Sequence, residues 1–230
     1  MKTPPLRASA GFFLAGAAAL LIAPGCLATA DRPVSTVTID FETCEIGAAP
    51  PQFSTALTGG GGPVSWIVLA DPTSAHGGKV LAQMSTDNTN YRFPLCLYEP
   101  VAARDVSVSV RFRPISGKVD QAAGLVVRCK DKDNYYIVRA NALENNVRFY
   151  KVEAGKRKQL ATADVEVASG KWQGLALTAR GSRFSVLLNG KPLFDADDAT
   201  FADAGKAGLW TKADSVTHFD HLEIRTYDTR

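Results

Sequence analysis

Hydrophobic and polar residues alternate along most of the chain from about residue 105 onward. In the segment DVSVSVRFR at 105–113, every second residue is apolar and the others are hydroxyl or charged residues. A period of two predicts a half-buried antiparallel strand. Similar segments predict further strands at 124–129, 134–141, 146–153, 156–163, 171–180, 183–188, 191–195, 206–212 and 216–226.

Turn residues separate these strands at short intervals. Asn189-Gly190, between two apolar runs, is typical of a type I′ hairpin turn. No window carries a helical apolar stripe longer than about two turns. The pattern therefore predicts an all-β domain of two antiparallel sheets, packed as a sandwich or jelly roll. We expect the early strand at 34–41 to join a sheet edge opposite the last strand, and Gly59–Gly62 to be a flexible linker.

The first thirty residues are typical of an export signal. Lys2 and Arg7 precede the apolar stretch Gly11–Ile22, and Ala28-Thr29-Ala30 fits a cleavage site. The segment ending at Cys26 is also similar to a bacterial lipobox. We therefore expect a signal at 1–30 and one domain at 31–230, in a protein that is periplasmic or extracellular, or lipid-anchored to a bacterial membrane through Cys26.

Charge and cysteine content narrow the function classes. Removing Lys2 and Arg7 from the 26 basic residues leaves 24 against 23 acidic residues, so no charge excess attracts nucleic acid. A membrane partner is expected only through the lipid anchor. Cys44, Cys96 and Cys129 predict one disulfide and one spare thiol, and their spacing fits no zinc site.

Several motifs resemble those of the 3-keto-disaccharide hydrolase-like family and its laminin-G-like relatives, which are concanavalin A-like jelly rolls. The resemblance covers about Val80–Thr226 and rests on GLVVR at 124–128, NYYIVR at 134–139, GKAGLWT at 205–211 and Phe219-Asp220. It implies a concanavalin A-like fold and glycan-related biochemistry. The chain departs from the hydrolase pattern where Tyr136 replaces an acid, Trp210 replaces an amide and Asp220-His221 replaces Arg-Asn.

Binding residues are expected on the strand at 134–141. Its alternation separates Tyr135, Arg139 and Asn141 from the apolar set, so these three should face away from the core. Aromatic rings stack on sugar rings, while arginine and asparagine bind hydroxyl groups. Residues of neighbouring strands extend the predicted surface, namely Arg128, Arg148, Tyr150 and Trp210. Arg128, Arg139 and Arg148 on one face would repel one another unless acidic residues or a ligand offset their charge. An acidic or oxidised sugar is therefore a hypothesis for the ligand.

Candidate catalytic residues lie on the last strand, where period-two alternation puts His218 and Asp220 on one face. An aspartate beside a histidine can orient it for general acid and base chemistry. No catalytic cofactor is expected. A structural calcium ion is a further hypothesis, on Asp40, Glu42 and Asp220 near the ends of the terminal strands.

The sequence thus predicts carbohydrate recognition on one sheet face. One alternative is glycoside cleavage of the 3-keto-disaccharide hydrolase type, with Arg128, His218 and Asp220 around that face. The other is a laminin-G-like surface interaction module that binds protein.

Overall fold

Strands account for all the regular secondary structure in the residues that the computed structural model describes, 1–2 and 32–228. In chain order they are β1 Ser35–Ile39, β2 Phe53–Gly59, β3 Trp66–Ala70, β4 Lys79–Gln83, β5 Arg92–Ala103, β6 Val106–Ser116, β7 Ala122–Asp131, β8 Asn134–Asn141, β9 Asn146–Glu153, β10 Lys156–Asp164, β11 Gln173–Arg180, β12 Arg183–Leu188, β13 Lys191–Asp197, β14 Gly205–Trp210 and β15 Val216–Thr226. Residues 3–30 of the predicted signal, Cys26 among them, lie outside the described residues.

The strands form two antiparallel sheets, as predicted. The eight-stranded sheet has the order β13-β12-β11-β6-β15-β4-β3, with β1 added against β15, and the seven-stranded sheet has the order β10-β9-β8-β7-β14-β5-β2. The pairing of β1 with β15 confirms that the early strand joins the last one. In the described part of the chain, no helix is long and apolar enough to cross a membrane.

The main core lies between the two sheets. On β6 the alternating residues predicted to face inward are buried, and Phe112 is fully enclosed. On β8 the inward set contains Tyr136 and Val138. Asn189 and Gly190 both have positive φ, 52° and 75°, which confirms the type I′ geometry of the β12–β13 turn.

Strands β2 to β5 were not predicted. The first seven residues of β5, Arg92–Tyr98, are buried on both sides of the sheet, which removes the alternation that marks a half-exposed strand. The linker prediction was also wrong. Gly59 belongs to β2, and the backbone carbonyls of Gly62 and Pro63 accept hydrogen bonds from the buried guanidinium of Arg92. The glycine segment is therefore a loop within the domain.

The predicted disulfide is absent among the described cysteines, because Cys44, Cys96 and Cys129 are all free and buried. Strand β14 lies between the strands that carry Cys96 and Cys129. Cys96 faces the core between the sheets, whereas Cys129 belongs to an apolar cluster on the other face of the same sheet. Opposite faces keep these two thiols apart, and burial raises the pKa of Cys129 to about 12.

Candidate functional site

The outer face of the seven-stranded sheet carries a second set of buried side chains. Alternation along β8 turns Tyr135 and Ile137 toward this face, opposite to Tyr136 and Val138. Arg139 and Asn141 continue the outward set, as the sequence predicted. The outer face is apolar and closed at one end and polar at the other.

Aromatic side chains fill the closed end. Trp210 stacks on Phe93 with ring centroids 5.2 Å apart, and its indole Nε1 donates a hydrogen bond to the Tyr135 hydroxyl at 3.3 Å. The Tyr135 hydroxyl also lies 2.9 Å from Thr58 Oγ1. We call Phe93, Tyr135, Tyr150 and Trp210 the aromatic end.

Arg157 and Tyr91 cover the aromatic end from outside. The guanidinium carbon of Arg157 lies 4.3 Å from the ring centroid of Tyr150 and 4.9 Å from that of Phe93. The Tyr91 hydroxyl accepts a hydrogen bond from the Arg157 backbone N–H and donates one to the Gly155 carbonyl. These contacts join strand β5 to the β9–β10 turn across the face and exclude solvent from the rings.

This covering corrects three of the predicted ligand contacts. Tyr135 and Trp210 have no exposed surface, and Tyr150 retains only 5%. The alternation gave the correct side of the sheet for Tyr135, but large aromatic side chains on a curled sheet bury one another. Tyr135, Tyr150 and Trp210 therefore belong to the buried aromatic end and offer no ring surface for a sugar.

Polar side chains gather at the open end of the face. We call them the polar cluster, and they are Asp120, Arg139, Asn141, Glu144, Asn146, Arg148 and Lys212. The pairing register places Trp210, Gly124, Arg139 and Arg148 in one row across four strands. Glycine at the second place of this row lets the Trp210 indole and the Ile137 side chain pack against the backbone, since an added Cβ would lie 3.2 Å from Trp210 Cε3 and 2.6 Å from Ile137 Cδ1.

Glu144 holds the two arginines of the cluster together. Its Oε2 accepts from Arg139 Nη2 at 2.8 Å and from Arg148 Nη1 at 3.2 Å, and its Oε1 accepts from Asn141 Nδ2 at 3.2 Å. Burial alone would raise the pKa of Glu144, but Arg139 and the hydrogen bonds outweigh it and the pKa is lowered. The carboxylate is thus kept ionised between two cations.

Asp120 is the second carboxylate of the cluster and is fully buried. Its oxygens contact Asn141 Nδ2 and Lys212 Nζ, both at 2.5 Å. Burial raises the pKa of Asp120 despite the neighbouring Lys212 ammonium. Nearby, the Asp214 carboxylate accepts hydrogen bonds from the backbone N–H groups of Lys118, Val119 and Asp120, which fixes the loop before β7.

Only part of the polar cluster reaches solvent. The side chains of Arg148 and Glu144 are about one-third exposed, at 34% and 35%, while Arg139 is 2% exposed. The exposed apolar residues Val119 and Leu143 adjoin Asp120 and Glu144 in sequence. The cluster therefore offers a small set of fixed donors and acceptors on a rigid sheet.

Arg128 does not belong to this surface, contrary to expectation. Its guanidinium donates to the backbone carbonyls of Arg104, Gly181 and Phe201, and it lies over the Phe184 ring. A positive φ of 49° turns the residue out of the alternation of β7. Arg128 is a buried structural residue that ties loops to the end of the sandwich.

Sequence reasoning missed Asp120, Glu144, Asn146 and Lys212. The signal for Glu144 was present, since Arg139 and Arg148 lie directly opposite each other on a hairpin and like charges in that position repel. An acid in the connecting turn was needed to offset them. That acid contacts both guanidiniums, so each of these two arginines already has a carboxylate partner.

The predicted catalytic residues lie on the other sheet, near the segment 71–76. His218 Nδ1 is 2.8 Å from Asp71 Oδ2, while Asp220 Oδ2 is 2.5 Å from Ser74 Oγ and 3.3 Å from His76 Nδ1. Each residue is thus paired with a partner that the sequence did not indicate. Their catalytic role stays a prediction.

The carboxylates proposed for calcium engage separate partners. Asp40 accepts from the Glu42 backbone N–H, and Glu42 accepts from the backbone N–H groups of Gly78 and Lys79. Across the described residues, no three or more histidine, cysteine, aspartate or glutamate side chains are grouped to hold a metal ion. The calcium ion remains an untested hypothesis.

Comparison with known proteins identifies the family. The family profile of the concanavalin A-like lectin/glucanases superfamily matches residues 83–221, more than half of the chain. The chain belongs to this superfamily. In a separate comparison, the chain is 31% identical over 91 residues to a levanase of Bacillus subtilis (strain 168), a match that spans 39% of this chain and 13% of the levanase.

Solved structures show the same concanavalin A-like fold at low sequence identity. The carbohydrate binding module CBM66 from Bacillus subtilis superposes with a TM-score of 0.59 and 22% identity, over 76% of this chain and 96% of that chain. Lectin II from Ulex europaeus superposes with a TM-score of 0.58 and 11% identity, over 84% and 99% of the two chains.

Proposed function

We propose that this domain binds a carbohydrate at the polar cluster of the seven-stranded sheet. The observation that carries the proposal is the Glu144 carboxylate, which is held by Arg139, Asn141 and Arg148 and remains one-third exposed. Arg148 beside it presents N–H donors and is exposed to the same extent. A sugar hydroxyl both donates and accepts hydrogen bonds, so it can donate to the Glu144 carboxylate and accept from the Arg148 guanidinium.

Rigidity and the existing ion pairs favour a neutral sugar at this site. The cluster's side chains are fixed by one another before any ligand arrives, which lowers the entropy lost on binding. Its cations are already paired, Arg139 and Arg148 with Glu144 and Lys212 with Asp120. A neutral glycan therefore leaves no buried charge without a partner.

The comparisons support a glycan as the partner. A carbohydrate binding module and a lectin share the fold, and a relative named levanase matches part of the sequence. Levan is therefore the first polysaccharide to test, with inulin and arabinan as alternatives.

The test is isothermal titration calorimetry of the purified protein with levan, inulin and arabinan oligosaccharides. Glu144→Gln and Arg148→Gln should weaken binding about tenfold or more, because each removes a charge-assisted hydrogen bond of more than about 1.4 kcal/mol. Arg183→Gln is the matched control, because Arg183 forms an exposed ion pair with Asp195 on the other sheet.

Unchanged affinity in both cluster variants would place the glycan elsewhere and overturn the proposal. Absence of binding to every glycan, together with capture of a protein ligand at this face, would favour the interaction-module alternative.

Glycoside cleavage is the second candidate function. The Asp71–His218 pair favours it, because a buried aspartate that orients an imidazole is a common element of acid–base catalysis. Incubation with 3-keto-disaccharides should then release monosaccharide, and Asp71→Asn or His218→Gln should abolish the release. The same incubation without product in the wild type would exclude this activity.

Export through residues 1–30 is part of the proposal. Expression of the full chain in a bacterial host, followed by fractionation and N-terminal sequencing, tests it. Cleavage near Ala30 would indicate a released protein, whereas membrane retention that is lost in Cys26→Ala would indicate lipidation.

A further inference from the structure

A groove of about 270 Å³ crosses the outer face of the eight-stranded sheet, remote from the polar cluster on the other sheet. Its lining includes Arg111, Gly174, Ala176, Leu187, Gly190 and His221. These residues belong to β6, β11, β12, the β12–β13 turn and β15. The groove therefore spans central strands, whose positions the sheet fixes.

Missing side chains create the groove. A Cβ atom added at Gly174 or at Gly190 would meet no heavy atom within 4 Å. Gly174 lies within β11 beside Arg111 of β6, where most residues would place a side chain over the sheet. The absence of one leaves the half-buried Arg111 side chain as part of the groove lining.

Arg111 is a cation on this face for which the described part of the chain supplies no partner. Its neighbour Arg113 bonds Asp71 at 2.8 Å, and farther along the sheet Arg225 pairs with Glu223 and Arg183 with Asp195. Among the residues that the structure describes, Arg111 has no hydrogen bond and no ion pair. A guanidinium in a concave, largely apolar lining is suited to a planar anion.

His221 forms one wall of the groove and is held in place. It lies at a bulge of β15 with φ of 50°, and its ring stacks on His76 with centroids 4.1 Å apart. The Asp220 carboxylate bonds Ser74, His76 and the His221 backbone N–H. Asp220 is the register partner of Arg111 on the neighbouring strand, but its carboxylate bonds these three groups, and the two side chains form no ion pair in the described structure.

We propose that this groove is a second binding site, for a sugar carboxylate of the uronic acid class. The carboxylate pairs with the Arg111 guanidinium, and the ring packs its C–H surface on His221 and Leu187. The volume is near the lower limit of ligand pockets, so one sugar ring fills it. The site is independent of the polar cluster, whose cations are already paired.

The experiment is titration of the purified protein with D-glucuronate, D-glucose and acetate, followed by calorimetry and by chemical-shift changes in NMR spectra. Glucuronate should bind at least tenfold more tightly than glucose or acetate, because only glucuronate supplies both carboxylate and ring. Arg111→Gln should lower this affinity about tenfold, the typical effect of losing a charge-assisted bidentate contact.

Gly174→Leu should also abolish glucuronate binding by filling the groove, and the space around Gly174 predicts that this variant folds. Arg225→Gln is the matched control, since it removes a positive charge from the same face outside the groove. Thermal unfolding checks that all three variants are folded.

Three results would overturn the proposal. These are the absence of glucuronate binding, binding of acetate as tight as that of glucuronate, and an unchanged glucuronate affinity in both Arg111→Gln and Gly174→Leu. Loss of glucuronate binding in Arg148→Gln would assign the ligand to the polar cluster and also refute the second site. Loss of levan binding in Arg148→Gln concerns the proposed function alone.

Discussion

The outer faces of the two sheets differ in what covers them. On the seven-stranded sheet, long aromatic and arginine side chains lie over the backbone and form a second buried cluster. On the eight-stranded sheet, the central positions hold glycine, alanine and serine, and a groove remains. The inner faces of both sheets are similar and apolar.

This difference shows where a sandwich can vary at little cost to its fold. The inner faces must pack together, so their residues are confined to apolar types. The outer faces carry either a preorganised polar cluster or an open groove with an unpaired cation. The two proposed sites are therefore expected to take ligands of different charge.

The largest expected effect compares two tryptophans on these faces. Trp210→Ala removes a fully buried ring and should lower the free energy of unfolding by about 3 to 5 kcal/mol. Trp172→Ala removes a half-buried ring that contacts Arg113 at 5.4 Å and should cost about 1 kcal/mol. Urea unfolding measures both, and equal losses would refute the comparison.

The next effect concerns how the stability of the protein changes at low pH, through Asp214 and the loop before β7. Burial alone would raise the pKa of Asp214, but the N–H groups of Lys118, Asp120 and Val119 outweigh it and the pKa is lowered. An aspartate with a lowered folded pKa stabilises the protein above its unfolded pKa of about 3.9, and this stabilisation is lost as pH falls through the folded value.

Asp214→Asn should therefore lower stability at pH 7 by about 1 to 3 kcal/mol, the range for hydrogen bonds to a charged group. It should also flatten the loss of stability below about pH 4. Unfolding curves at pH 7, 4 and 3 test this, and an acid dependence as steep as that of the wild type would contradict it.

Two glycines sharpen the comparison further. At Gly124, an added Cβ would lie 2.8 Å from the Val138 carbonyl oxygen and 2.6 Å from Ile137 Cδ1. Gly124→Ala should cost about 1 to 3 kcal/mol, because the backbone cannot move away. Gly174→Ala has open space and should be neutral or stabilising by up to about 1 kcal/mol. Thermal unfolding separates the two, and similar melting temperatures would contradict the described packing.

The smallest expected effect on stability belongs to Arg148→Gln. Arg148 forms a partly exposed ion pair with Glu144, and such pairs contribute about 0 to 1 kcal/mol. Its substitution should leave the urea midpoint almost unchanged while weakening glycan binding. A large loss of stability would mean that Arg148 is structural and that its binding effect is indirect.

The sequence predicted the sandwich because one face of many strands remains partly exposed. The strict alternation of β6, for example, follows from serine and arginine on its outer side. Strand β5 was missed because its first half is buried on both sides. Its Arg92 is fully buried, and its guanidinium donates hydrogen bonds to carbonyls far away in the sequence. The local pattern of hydrophobic and polar residues cannot indicate such contacts.

The site was predicted less completely, for a related reason. Alternation identified Arg139, Asn141 and Arg148, which share a face within one hairpin. It could not identify Asp120 or Lys212, because their contact joins segments far apart in the sequence. Alternation also predicts which side of the sheet a side chain faces, but not whether solvent reaches it. Tyr135 was therefore predicted to contact a ligand, although its neighbours enclose it.

The position of β15 has a consequence for how the chain folds. This last strand lies between β6 and β4 and also pairs with β1, the first strand. Residues 216–226 are synthesised after every strand that they join, so the eight-stranded sheet cannot close before these residues have been made. Such distant pairing slows folding, because the ends of a long loop must meet before contacts stabilise them. Until that moment β6 and β4 have unpaired edges, and the emerging chain needs protection from aggregation.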